Sequence, residues 1–86
     1  MDYVAKTPEQ LGQILKSCRS QRQLTQRAAG AKVGLKQSTI SVVETDASGS
    51  SIETLYKLLS ALELELVIRD RNAEPVPAPP PAQREW

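Results

Sequence analysis

Residues 24–44 read LTQRAAGAKVGLKQSTISVVE, and this stretch decides the fold. Thr25 is a favourable N-cap, and Gly34 can take the positive φ that ends a helix. We therefore predict two short helices, over residues 26–33 and 37–44. The apolar side chains expected to face inward are Ala28, Ala29, Val33, Ile40 and Val43. The alanines and Gly30 should permit a close approach between helices. Two short helices around a glycine turn, one with a polar outer face, indicate a helix-turn-helix, whose second helix enters the DNA major groove.

A further helix is predicted before this stretch. Thr7 can cap it, Pro8 suits its first position, and Gln10 can complete a capping box with the cap amide. Helical spacing then continues to about Arg22 through an apolar face formed by Leu11, Ile14, Leu15 and Cys18.

A fourth helix is predicted after a loop at residues 45–50, with Ser50 and Glu53 as its capping box. Its apolar stripe is expected to comprise Ile52, Leu55, Leu58, Leu59 and Leu62. The hydrophobic period then changes to two, with Leu62, Leu64, Leu66 and Ile68 alternating with Glu63, Glu65, Val67 and Arg69.

This alternation indicates a short strand. A lone strand lacks a partner in its own chain, so we expect it to pair with the same strand of a second subunit. The alternative is that helix four continues through residues 61–65, since leucine and glutamate are good helix formers. The strand is favoured because a helix would scatter these leucines around its surface.

Residues 71–86 contain five of the six prolines of the chain and are expected to be extended and disordered when free. The only tryptophan, Trp86, is the last residue. It is either incidental composition or an aromatic anchor for a pocket on a partner protein.

Composition argues against an enzyme. The 86 residues contain no histidine and one cysteine, so the usual catalytic base and metal ligands are lacking, and no cofactor or metal is expected. No apolar run approaches the length of a membrane span, and no signal peptide is recognisable, so the expected location is the bacterial cytoplasm, at the nucleoid when bound to DNA. Residues 1–45 carry a net charge of +4 and residues 46–86 a net charge of −3. The predicted helix-turn-helix therefore lies in the cationic half, as phosphate contact requires.

The amino end of the second short helix supplies the candidate base-reading residues. Lys36 can reach a phosphate or guanine, and Gln37 can pair bidentately with adenine. Ser38 and Ser41 can donate or accept at base edges, while Thr39 suits a backbone or a base contact. The alternative for each is an ordinary solvated or space-filling side chain.

Gln26 begins the first short helix and can hold a phosphate there, with help from the helix dipole. It can equally be a simple helix starter. The basic residues Arg19, Arg22, Arg27 and Lys32 are expected to be solvated charges.

The pattern Thr25-Gln26…Gly34-x-x-Gln37-x-x-Ile40-Ser41-x-x-Glu44 resembles the lambda-repressor/Cro-like (XRE) helix-turn-helix family over residues 8–62. Residues 35–41, residues 62–66 and the terminal Glu85-Trp86 add a resemblance to the HipB-like antitoxins. That resemblance implies a dimer with paired C-terminal strands, autorepression of an operon, and inhibition of a HipA-like serine/threonine kinase toxin. It places base reading at Lys36, Gln37, Ser38 and Ser41.

We thus predict an all-α helix-turn-helix domain of four to five helices at residues 1–62, a dimerisation strand at 63–70 and a flexible tail at 71–86. The expected dimer contacts are Leu62, Leu64, Leu66 and Ile68. The expected partners are operator DNA with an inverted repeat, a second copy of the chain, and a HipA-like kinase toxin. The alternatives are a stand-alone XRE regulator without a toxin and an interaction adaptor that has lost DNA binding.

Overall fold

The computed structural model describes residues 2–71. Its elements are α1 (Pro8–Gln21), α2 (Gln26–Ala31), α3 (Gln37–Thr45), a 3₁₀ turn (Ala47–Gly49) and α4 (Ile52–Ala61). The predicted all-helical helix-turn-helix fold is confirmed, and the predicted helix ends lie within about two residues of those found.

One apolar core lies between the four helices. Its buried side chains are Leu15, Cys18, Ala29, Ile40, Val43, Ala47, Leu58 and Leu62. Around this core α1 packs against α3, and α4 packs against α2. Ile52, predicted in the buried stripe of α4, is 65% exposed, because the first residue of that helix lies beyond the core.

The starts of the helices follow the predicted chemistry with two corrections. Thr7 and Thr25 cap α1 and α2 through their hydroxyl oxygens. The cap of α4 is Ser51 and not Ser50, so that prediction is wrong by one residue. Gln10 accepts a hydrogen bond from the amide of the residue before the α1 cap, not from the cap itself.

Three helices end in the same way, with a residue at positive φ followed by a leucine that packs on the core. The positive φ angles are 58° at Gln23, 73° at Gly34 and 57° at Glu63. The next amides donate back to a carbonyl five residues earlier: Leu24 to Arg19 (3.2 Å), Leu35 to Gly30 (2.9 Å) and Leu64 to Leu59 (2.8 Å). This Schellman arrangement ends the helix and turns a leucine inward. Helix four therefore does not continue through residues 61–65.

The predicted strand at residues 63–70 is not supported, since no β-strand occurs within residues 2–71 of the single chain. Leu62 is fully buried in the core of its own chain, and Leu64 packs against that core. The positions of both leucines are thus determined by the end of α4 rather than by a strand. Leu66 and Ile68 are 53% and 91% exposed, and neither belongs to a β-ladder within residues 2–71.

Two glycines allow backbones to lie directly against a helix. A Cβ at Gly12 in α1 would lie 2.5 Å from the carbonyl oxygen of Val43, and one at Gly30 in α2 would collide with the carbonyl oxygen of Leu35. The close approach predicted at Gly30 is confirmed, whereas that at Gly12 was not predicted. Gly12 brings α1 against the carboxyl end of α3, where Glu44 lies.

The predicted tail lies outside the described residues except for Arg71, and so does Trp86. None of the helices within residues 2–71 is both long enough and apolar enough to cross a membrane.

Candidate nucleic-acid interface

The outer face of α3 carries the predicted base-reading residues. Gln37, Ser38 and Ser41 are exposed, and Thr39 is half-buried. Lys36 is the exposed N-cap residue, and its side chain makes no capping hydrogen bond because an ammonium group has no acceptor. The opposite face is formed by the buried residues Ile40, Val43 and Glu44. The helix thus presents a polar surface while its other side is fixed in the core.

Glu44 is the only buried polar or charged residue in residues 2–71, at 5% exposure. It forms a two-point ion pair with α1, in which Arg19 Nε donates to Oε2 (2.6 Å) and Arg19 Nη2 donates to Oε1 (3.1 Å). Arg19 Nη1 also donates to the carbonyl oxygen of Leu24, at 2.7 Å. This fork geometry holds both side chains in one orientation.

A chain of hydrogen bonds leads from this ion pair to the surface. Gln26 Nε2 donates to Glu44 Oε1 (3.0 Å), and Gln37 Nε2 donates to Gln26 Oε1 (3.4 Å). A carboxylate only accepts, so Gln26 turns its NH₂ group towards Glu44 and its oxygen towards Gln37. Gln37 must then turn its own NH₂ group towards Gln26.

The polarity of the Gln37 amide is therefore determined by a buried carboxylate two side chains away. Gln37 retains its Oε1 and one N–H for another partner. These are one acceptor and one donor side by side, which is the pair that adenine N6 and N7 require. Gln26 acts as a positioning residue in this network, and its predicted phosphate contact stays a prediction.

Two features of the site were not anticipated. Arg19, predicted to be a solvated charge, instead has a side chain only 12% exposed in the pair with Glu44. Glu44 was assigned no role. The signal was present, because Glu44 follows Ile40 by four residues and so shares its inward face. A carboxylate on a buried apolar face needs a basic partner, because a buried unpaired charge is costly. The sequence does not show which helix supplies that partner.

The surrounding charge is positive. Ion pairs within residues 2–71 join Arg19 to Glu44, Lys57 to Glu53 and Arg69 to Asp2. None of these pairs involves the basic residues in the helix-turn-helix or just before it, which are Arg22, Arg27, Lys32 and Lys36. Their charge is therefore not neutralised by these pairs, as phosphate contact requires.

Glu44→Gln tests whether the buried carboxylate orients the surface amides. In one orientation the NH₂ group of the new amide faces the NH₂ group of Gln26, and in the other it leaves an N–H of Arg19 without an acceptor. We therefore expect the free energy of unfolding to fall by about 3 kcal/mol. At temperatures where the variant is folded, affinity for duplex DNA should fall as well. Urea denaturation and fluorescence anisotropy measure the two effects.

The matched control is Glu53→Gln, which breaks the exposed pair with Lys57. It should change stability by less than about 0.5 kcal/mol and leave DNA affinity unchanged. Equal effects of the two substitutions would show that Glu44 has no special role.

Comparison with known proteins places these features in a family. Residues 15–68 match the helix-turn-helix family. The chain is 39% identical over 70 residues to Antitoxin HipB of Escherichia coli O6:H1, covering 80% of this chain and 74% of that protein. It is 37% identical over 70 residues to Antitoxin HipB of Escherichia coli K12, covering 80% of each.

Among solved structures, one chain of a HipA-HipB-O2-O3 complex superposes with a TM-score of 0.78 at 32% identity. The match covers 83% of this chain and all of that one. The extent of these matches shows that the chain belongs to the helix-turn-helix family and, within it, to the antitoxin HipB family.

Proposed function

We propose that this protein is a dimeric, sequence-specific DNA-binding antitoxin that represses its own operon and neutralises a HipA-like serine/threonine kinase toxin. The observation that carries the DNA-binding part is the outer face of α3, where Gln37 is held with one donor and one acceptor facing outward. Its family membership supports the antitoxin part.

The amino end of α3 enters the major groove. Lys36 contacts guanine or a phosphate, and Gln37 pairs with adenine through its Oε1 and its remaining N–H. Ser38 and Ser41 hydrogen-bond to base edges, and the half-buried Thr39 contacts the DNA backbone or a base. Gln26 combines the positioning of Gln37 with a phosphate contact through its second N–H.

Gln37→Ala should weaken binding to the duplex upstream of its own gene by about 1–3 kcal/mol and relax the preference for one base pair. The physical reason is the loss of the bidentate contact. Anisotropy titrations at one fixed salt concentration measure both effects, the second with duplexes altered one position at a time.

Gln13→Ala is the control, because Gln13 is an exposed glutamine on α1 away from α3. It should bind like the unaltered protein. Unchanged affinity for Gln37→Ala would remove Gln37 from the readout.

The dimer is proposed from the apolar side chains that follow α4. Leu66, Val67 and Ile68 are consecutive and exposed. Such an apolar patch marks an interaction surface, and association with a second copy is a common way for a small domain to gain core. A two-fold dimer would place two copies of α3 on an inverted repeat, with half-sites about 34 Å, or a multiple of this, apart. Of the four residues predicted at this contact, Leu66 and Ile68 remain, since Leu62 and Leu64 belong to the core.

Leu66→Glu should convert the dimer to a monomer, because it places charge where an apolar surface is covered, and operator affinity should fall with it. Sedimentation velocity measures the first effect and anisotropy the second, while circular dichroism checks that the helices remain. Glu65→Gln is the neighbouring control and should leave the dimer intact. An intact dimer for Leu66→Glu would refute this contact.

The toxin partner is proposed from the curated relatives, which are named antitoxins, and from the solved complex that contains HipA with HipB. Trp86 is proposed as an anchor on that partner. Its support is its position as the only tryptophan, at the end of a proline-rich segment.

Co-expression with the kinase-like protein encoded nearest to its gene, both from unrelated promoters, tests this part. We expect the two proteins to co-purify and the chain to restore growth. Gln37→Ala should still restore growth if neutralisation acts through binding rather than repression, and Trp86→Ala should co-purify less. Failure to co-purify or to restore growth would favour the stand-alone regulator.

A further inference from the structure

One side chain on the outer face of α3 can neither donate nor accept a hydrogen bond. Val42 is 60% exposed and is the only exposed large apolar residue of this helix. Ile40 and Val43, its apolar neighbours, are buried. Valine is also a weak helix former because its χ1 is restricted, so neither helix stability nor the core explains it.

Val42 lies on the same face as the candidate base-reading residues. It follows Ser38 by four residues, which places the two about 40° apart around the helix. It also adjoins Ser41 and lies away from the buried face of Ile40, Val43 and Glu44. A duplex that contacts Ser38 and Ser41 therefore also meets Val42.

The face becomes less polar towards its carboxyl end. Thr45, one turn after Ser41, donates its hydroxyl hydrogen to the carbonyl oxygen of Ser41 at 3.0 Å. That hydroxyl is thus satisfied within the helix. Beyond Ser41, Val42 presents two methyl groups among side chains that offer few further donors.

We propose that Val42 contacts the C5-methyl group of a thymine in each half-site and so selects thymine at that position. This methyl is the one apolar group that bases present in the major groove of unmodified DNA. Hydroxyl and amide groups gain nothing from it, whereas two valine methyls exclude water from it. The inference rests on the proposed function, because it requires α3 to lie in the major groove.

The experiment removes the methyl group from the DNA and the methyl groups from the protein, separately and together. Duplexes are first selected from a random library with the full-length chain. Each selected thymine is then replaced by deoxyuridine, one position per half-site at a time. Affinity is measured for the unaltered protein and for Val42→Ala.

For the unaltered protein, one thymine position should lose about three- to fivefold in affinity per half-site when its methyl is removed. Val42→Ala should bind the thymine duplex more weakly and should no longer distinguish thymine from deoxyuridine there. The control is Val4→Ala, which alters an exposed valine before α1 and should keep the full thymine preference.

An equal thymine-to-uracil ratio for Val42→Ala and the unaltered protein at every position would overturn the inference. Selected half-sites without a thymine would do the same. If Val42→Ala changes the sedimentation of the protein but leaves the thymine-to-uracil affinity ratio unchanged, the side chain contacts protein rather than DNA, and the inference is again overturned. A chain that selects no sequence overturns the proposed function and this inference with it, whereas selection without the methyl effect overturns the inference alone.

Discussion

The carboxylate of Glu44 is the group on which the DNA-facing geometry depends. Its two oxygens receive hydrogen bonds from Arg19 of α1 and Gln26 of α2, while its own backbone belongs to α3. One buried group therefore joins the three helices that form and support the helix-turn-helix. A buried ion pair need not be more stable than an apolar contact of the same size. Its advantage here is directional, because only an acceptor at this position gives both glutamine amides a single orientation.

Much of the fold could be predicted because its determinants are local. Thr7, Thr25 and Gly34 act within a few residues of themselves, and each does in the structure what its chemistry indicates. The ion pair of Arg19 with Glu44 could not be predicted in the same way. It joins residues 25 positions apart, and only the packing of α1 on α3 at Gly12 brings them together.

The prediction that Leu62 and Leu64 contact a second subunit failed for a different physical reason. Leu62 and Leu64 alternate with glutamates as in a strand, but Leu62 is the fully buried C-cap of α4, and the amide of Leu64 closes the end of the helix. Glu63 adopts a positive φ that costs a residue with a side chain about 1 kcal/mol or more. Burial of the leucine that follows offsets this cost. Gln23 and Leu24 repeat the arrangement at the end of α1, where no glycine marks the turn either.

The outer face of α3 combines two kinds of residue that differ in their freedom to change. Gln37 is tied through Gln26 to the core, so a substitution there also disturbs groups that hold the helices together. Ser38, Ser41 and Val42 are exposed, so we expect their replacement to leave the fold intact. If these residues read bases as proposed, recognition of one base can stay fixed while the neighbouring positions are altered. In the proposed mode of binding, the ion pair would determine how α3 meets the groove, and the unattached side chains would determine which sequence it recognises.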